Sequence, residues 1–178
     1  MKKLIYFITF LTFLFIRSDT YASTGYIEAD ASARMEVSTL AVADQRAEVL
    51  KNYLEGFNSP LAPFASKFVS EADKYDIPWT WVPAISGIES TFGKHIPYNS
   101  YNAWGWANGE YAFKSWDEAI KIVTKTLKER YVDRGADTID KIAPIYAPPS
   151  HTWAGKVQYF IGKIEAHENK ADQLPISI

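Results

Sequence analysis

Cysteine is absent from this 178-residue chain, so neither a disulfide framework nor thiol chemistry is open to it. Stability outside a cytosol would have to come from packing alone. Histidine is scarce: the three, His95, His151 and His167, are scattered without metal-ligand spacing and read as surface residues. No metal and no organic cofactor is expected. Positive charge is not in excess, with 19 Lys and Arg against 21 Asp and Glu and no basic stripe, which argues against a nucleic-acid partner. Internal repeats are missing. Long apolar runs are missing too, apart from the thirteen uncharged residues Leu4–Ile16.

That run follows Met1-Lys2-Lys3 and precedes Arg17 and a polar stretch ending in Ala22, the order of a secretory signal over residues 1–22. It is short for a bilayer span and would act as an anchor only if left uncut. Cleavage after Ala22 leaves 156 residues, enough for one domain with a sizeable core, and 16 basic against 20 acidic side chains. Residues 23–43 are polar, Ala-rich and unpatterned, and read as a flexible leader. The folded domain is expected over 44–166, with a polar, frayed tail at 167–178.

What is present in quantity is aromatic: six Trp, eleven Tyr and ten Phe, more than a core of this size requires. The densest apolar stretch is Trp79–Phe92. Trp81, Ala84, Ile85, Ile88 and Phe92 recur at spacings of three and four, which predicts a helix. With no charge from Trp81 to Ile88 and apolar residues on more than one side, that helix should be buried. Pro78 and Pro83 place its start near Trp79 or Thr80. Gly93 marks its end.

Its sole charge is Glu89, in the last turn. Ser86 and Ile85, three and four residues back, put this carboxylate on the core face. The C-terminal end of a helix also disfavours negative charge. Burial and dipole together raise its pKa, which would make it a general acid. The alternative is a Glu that turns to water or pairs with Lys94.

The rest of the chain reads as helices. Asp44 can cap one with the stripe Val49, Leu50, Tyr53, Leu54 and Phe57. A second follows the Asn58-Ser59-Pro60 turn and runs to Tyr75, with Phe64, Phe68 and Ala72 inward and Lys67, Glu71 and Lys74 outward. Ser115 and Glu118 form a capping box. The helix they open buries Ile120, Val123, Thr124, Leu127 and Tyr131 and ends near Gly135. A short helix over Thr138–Tyr146 stops at Pro148-Pro149. The last starts between Ser150 and Thr152 and buries Trp153, Val157, Phe160, Ile161 and Ile164. Asn108-Gly109, set between aromatic-bearing arms over Trp104–Phe113, predicts a small β-hairpin. The expected class is mainly α, with one hairpin and a loop-built cleft.

Four segments in order, Gly87–Gly93, Ser100–Gly105, Phe113–Trp116 and Ile145–Pro148, resemble the lysozyme-like superfamily. The likeness covers roughly Leu61–Ile164. More narrowly, it is similar to bacterial peptidoglycan-cleaving domains of the lytic-transglycosylase and endo-β-N-acetylglucosaminidase types. Ala103-Trp104-Gly105-Trp106 departs from the second motif of soluble transglycosylases and is nearer the glucosaminidase branch. The resemblance implies that Glu89 is the catalytic acid and that Ser90 holds the local turn or the sugar. It implies that Asn102–Gly105 holds the N-acetyl group across a cleft and that Tyr146 faces that cleft.

Glycoside cleavage needs one carboxylic acid and commonly a second carboxylate. Glu110 is the candidate second carboxylate; the alternative is an exposed turn residue, leaving Glu89 to act alone as acid and then base. Tyr98, Tyr101, Trp104, Trp106 and Tyr111 are candidates for stacking on sugars, with at least half of them expected in packing instead. Asn102 could equally cap a turn. Trp81, Trp116 and Trp153 are assigned to the core. The expectation is a secreted or cell-envelope monomer that cuts β-1,4 bonds between N-acetylated aminosugars of peptidoglycan. The alternative is a module of the same fold that binds glycan or protein without cutting.

Overall fold

The computed structural model describes residues 45–171. The expected signal (1–22), the leader (23–43) and the Asp44 cap lie outside the described residues. Within them the chain is mainly helical, with six α-helices: α1 (45–55), α2 (Ala65–Tyr75), α3 (Trp81–Ser90), α4 (Trp116–Arg130), α5 (Ile139–Tyr146) and α6 (Trp153–Ala171). Single 3₁₀ turns at Ala62–Phe64, Trp106–Gly109 and Val132–Arg134 join them. Helix α3 packs chiefly against α6, α2 against α4, and α5 against α6.

Helix α3 is the buried centre. Every residue from Trp81 to Gly87 is buried, and only Ile88 and Glu89 reach the surface in part. Such burial stabilises by about 1.5–3 kcal/mol per large apolar side chain. The helix ends where Thr91, Phe92 and Gly93 take left-handed φ in succession, and the Ser86 carbonyl accepts the N–H groups of Thr91 and Phe92. This sharp exit folds Phe92 back under the helix, among Phe57, Phe160 and Tyr53 at ring distances of 4.6, 5.0 and 5.8 Å. Gly87 makes room for that ring: a Cβ there would lie 2.7 Å from Phe92 Cζ and 3.1 Å from Phe160. Gly87→Ala gains about 0.8–1 kcal/mol in helix propensity but overpacks a locked cluster at about 1–3 kcal/mol. The expected result is a net loss of up to about 2 kcal/mol, read as a lower denaturant midpoint at unchanged slope.

The other stripes are in place. Val49, Leu50 and Leu54 of α1, Ile120, Val123, Thr124 and Leu127 of α4, and Trp153, Val157 and Ile164 of α6 are buried. The Ser115 hydroxyl accepts from Glu118 N–H at 3.2 Å, the first half of the expected capping box, while the Glu118 carboxylate reaches one residue further back and accepts from Lys114 N–H rather than from Ser115 N–H.

Three expectations are corrected. Glu71 is buried rather than outward, paired with Lys67 Nζ at 2.7 Å, because α4 packs over α2. The tail expected to fray after Glu165 continues as helix to Ala171, since Ile164 is buried and His167 packs edge-on against Tyr53 of α1. The hairpin over Trp104–Phe113 does not form: the described residues contain no strand. Asn108 and Gly109 do turn in left-handed φ, closed by Glu110 N–H to the Ala107 carbonyl at 3.1 Å. The arms cannot pair, however, because a side chain occupies their backbone groups. Asn102 Nδ2 donates to the carbonyls of Trp106 and Tyr111, and its Oδ1 accepts from Trp106 N–H, all at 2.9 Å.

Candidate active site

The last turn of α3 presents Glu89 half-exposed, at the meeting of the 102–106 loop, the end of α5 and the start of α6. Its Oε1 accepts a hydrogen bond from the Trp153 indole N–H at 2.7 Å. Its Oε2 looks toward Gly105, whose φ is +64° and where a Cβ would stand 3.1 Å from that oxygen. Gly105 is therefore needed twice, for its backbone conformation and for the space it leaves in front of the carboxylate. Burial pushes the Glu89 pKa up, and the Trp153 bond, which favours the ionised form, pulls it partly back. Lys94 does not neutralise it, because its ammonium donates to the Phe57 carbonyl at 3.0 Å.

With an N–H donor fixed on Oε1, the proton of the acid form belongs on Oε2, the oxygen beside Gly105. Removing the donor should shift the titration. In Trp153→Phe, the ¹³C-detected carboxyl titration of Glu89 is expected to move to higher pH, since the hydrogen bond that opposes the effect of burial is gone. An unmoved titration would mean that the indole does not govern the carboxyl.

Tyr146 braces the arrangement. Its hydroxyl donates to the Trp104 carbonyl at 2.6 Å, and its ring stacks on Trp153 at 4.9 Å between centroids. Burial, then the Glu89 charge, then Tyr131, hold this phenol well above its ordinary pKa, so it stays protonated and serves as a donor. Ser90 is buried within the turn; its hydroxyl lies 2.9 Å from the Ala103 carbonyl and 3.0 Å from that of Ser86, and accepts from Gly93 N–H at 2.8 Å. It fastens the 102–105 loop to the end of α3.

The remaining sequence-predicted residues divide. Trp104 is fully buried, its indole donating to the Val82 carbonyl at 2.9 Å, so its ring belongs to the core. Asn102 is buried with its amide committed to the loop. Tyr101 sets its edge against Trp116. Trp106, half-buried, lines a cavity of about 250 Å³ together with Gly105, Asn108, Arg130, Tyr131 and Tyr146. Tyr98 is 94 % exposed, and Tyr111 is exposed as well. Glu110 is exposed and forms no ion pair or side-chain hydrogen bond among the described residues. A second, more apolar cavity of about 490 Å³ is lined by Ile88, next to Glu89, and by residues of α6 beside Trp153.

Sequence reasoning placed Trp153 in the core, where it is buried, and Gly105 only within the Asn102–Gly105 stretch, and it foresaw neither one's contact with Glu89. A signal for Trp153 existed: a buried indole N–H needs an acceptor, and Glu89 was an acceptor without a donor. No protein-family model matches the chain, and no curated protein matches it at a significant level.

Proposed function

We propose that this protein is a secreted glycosidase of lysozyme-like fold that cleaves β-1,4 bonds between N-acetylated aminosugars of peptidoglycan, with Glu89 as general acid. The observation that carries this reading is the partly exposed Glu89 carboxyl itself, with a raised pKa, one oxygen held by Trp153 and the other beside Gly105. A carboxylate at the end of a buried helix, without a cationic partner, contributes nothing to stability that would explain its presence. The four ordered sequence segments supply the substrate class.

In the proposed reaction the Glu89 Oε2 proton passes to the glycosidic oxygen as the C1–O bond breaks, and positive charge develops at C1. The leaving sugar departs as a neutral alcohol. The electron pair that C1 then needs comes from a water or from the substrate's own hydroxyl or acetamido group. Ionised Glu89 takes back the proton that this nucleophile releases. One carboxylate thus serves both halves of the reaction, consistent with an exposed, unpartnered Glu110. The two cavities near Glu89, on the Gly105 side and the Ile88 side, would hold the sugars on either side of the cut.

Incubation of the mature protein with purified peptidoglycan tests this. New glycan ends should appear, and product mass separates hydrolysis from anhydro-sugar formation, which is lighter by one water. Saturable binding that leaves the glycan intact would replace the enzyme with a binding module.

A further inference from the structure

A carboxyl that works alone as acid and then base leaves the aiming of the nucleophile to some other group. Most polar groups around the cavity beside Gly105 are unsuited to that task. The Trp106 indole and the Arg130 guanidinium can only donate. The hydroxyl proton of Tyr146 is committed to the Trp104 carbonyl at 2.6 Å. Asn108 belongs to an exposed turn.

Tyr131 differs from all of these. The α4 stripe sends it inward, yet it is half-buried at the end of that helix and lines the same cavity as Gly105. Its hydroxyl has no hydrogen-bond partner among the described residues. Its backbone is fixed. The Tyr131 carbonyl accepts the N–H groups of Arg134 and Ala136, both at 3.0 Å, and its own N–H donates to the Leu127 carbonyl at 3.3 Å. Its ring lies 6.2 Å from that of Tyr146, which stacks at 4.9 Å on Trp153, the residue bonded to Glu89. Burial raises the Tyr131 pKa against the pull of Arg130, so the phenol stays neutral and its oxygen is free to accept.

Resting on the glycosidase reading of Glu89, we propose that the Tyr131 hydroxyl holds the attacking water, and that this hold makes hydrolysis, rather than ring closure by the substrate's own hydroxyl, the main route after the glycosidic bond breaks. The water donates one hydrogen to ionised Glu89 Oε2 and the other to Tyr131 Oη. Its oxygen lone pair forms the new bond to C1. The first proton passes to Glu89 and restores the acid, while the second stays on the new anomeric hydroxyl. Tyr131 neither gains nor loses a proton.

Tyr131→Phe tests this, because it keeps the ring beside Tyr146 and removes one oxygen. On purified peptidoglycan the hydrolytic kcat should fall roughly three- to tenfold, the range of one hydrogen bond made in the transition state, with KM little changed. Product mass should shift toward anhydro ends, lighter by one water. A merely structural role would lower both products together, along with the melting temperature. Thr126, the other hydroxyl lining the cavity from α4, supplies the control: Thr126→Val should keep the parental product ratio. The parental ratio in Tyr131→Phe, a shifted ratio in Thr126→Val alone, or a parent that forms only anhydro ends would each overturn the proposal and leave the glycosidase standing. A parent that cuts no glycan would sink both.

Discussion

Glu89→Gln is expected to lower kcat on peptidoglycan by roughly 10²–10⁴-fold, the range for loss of a general acid, with KM little changed. The substitution isolates the proton. A Gln carbonyl can still accept the Trp153 indole N–H in the place of Oε1, and the amide nitrogen occupies the volume of Oε2 beside Gly105. Shape and hydrogen bonding survive, and only the acidic proton is lost. Stability should move the other way. The folded-state pKa of Glu89 is raised by burial, so its favourable contribution is present in full below the unfolded pKa and is lost as pH rises through the folded one. As pH rises the parent increasingly bears an ionised, half-buried carboxylate and the variant does not. The Gln protein should therefore melt at or above the parent temperature at pH 7, and the difference should shrink toward pH 4. Full activity in this variant would remove Glu89 from the chemistry. Lost activity together with a lowered melting temperature would instead point to damage to the fold.

The parts of this site that were legible in the sequence are those built by local periodicity. The α3 stripe announced a buried helix, and the placement of Glu89 after Ile85 and Ser86 announced a carboxylate on its core face; both residues are fully buried. The Ser115 cap and the Thr138 start of α5 were readable because a cap acts within three residues. Contacts between distant elements left no such trace. Trp153 lies 64 residues from Glu89, and its place on the α6 stripe looked like any other core position. The 94–113 loop failed for another reason. Asn108-Gly109 does adopt the left-handed turn that its chemistry favours, but a turn makes a hairpin only if its arms are free to pair. Here the Trp104 indole goes inward to the Val82 carbonyl, and Asn102 takes the backbone groups that a ladder would have used. The turn was local information, and the competition for those groups was not.

Asn102→Ala should lower the melting temperature by roughly 10 °C and reduce kcat more than it raises KM. Asn102 links loop to loop through three side-chain hydrogen bonds, each 2.9 Å long. At a net value near 1 kcal/mol per bond, with more for partners left unpaired in partly buried surroundings, the expected loss is about 3 kcal/mol. For a domain of this size each kcal/mol is worth about 3–4 °C. Those bonds hold the backbone on both sides of Gly105, and Ser90 fastens the same loop to α3 through the Ala103 carbonyl. A loosened loop therefore moves Gly105 relative to Oε2 of Glu89, a displacement that affects the bond-breaking step before it affects the grip on remote sugars. A direct contact with the N-acetyl group would give the opposite pattern, a raised KM at an unchanged melting temperature. Asn102→Asp sharpens the distinction. It replaces the donating amide nitrogen with an oxygen facing two carbonyl oxygens, a repulsion that burial makes worse. Its carboxyl should hold a proton more tightly in the folded state than in the unfolded chain. The Asp variant should thus be less stable than the Ala variant at neutral pH and recover part of the gap in acid, as the protonated carboxyl regains one donor. A solvent-facing, sugar-binding Asn102 would show no such recovery, because nothing in the folded protein would then oppose the charge.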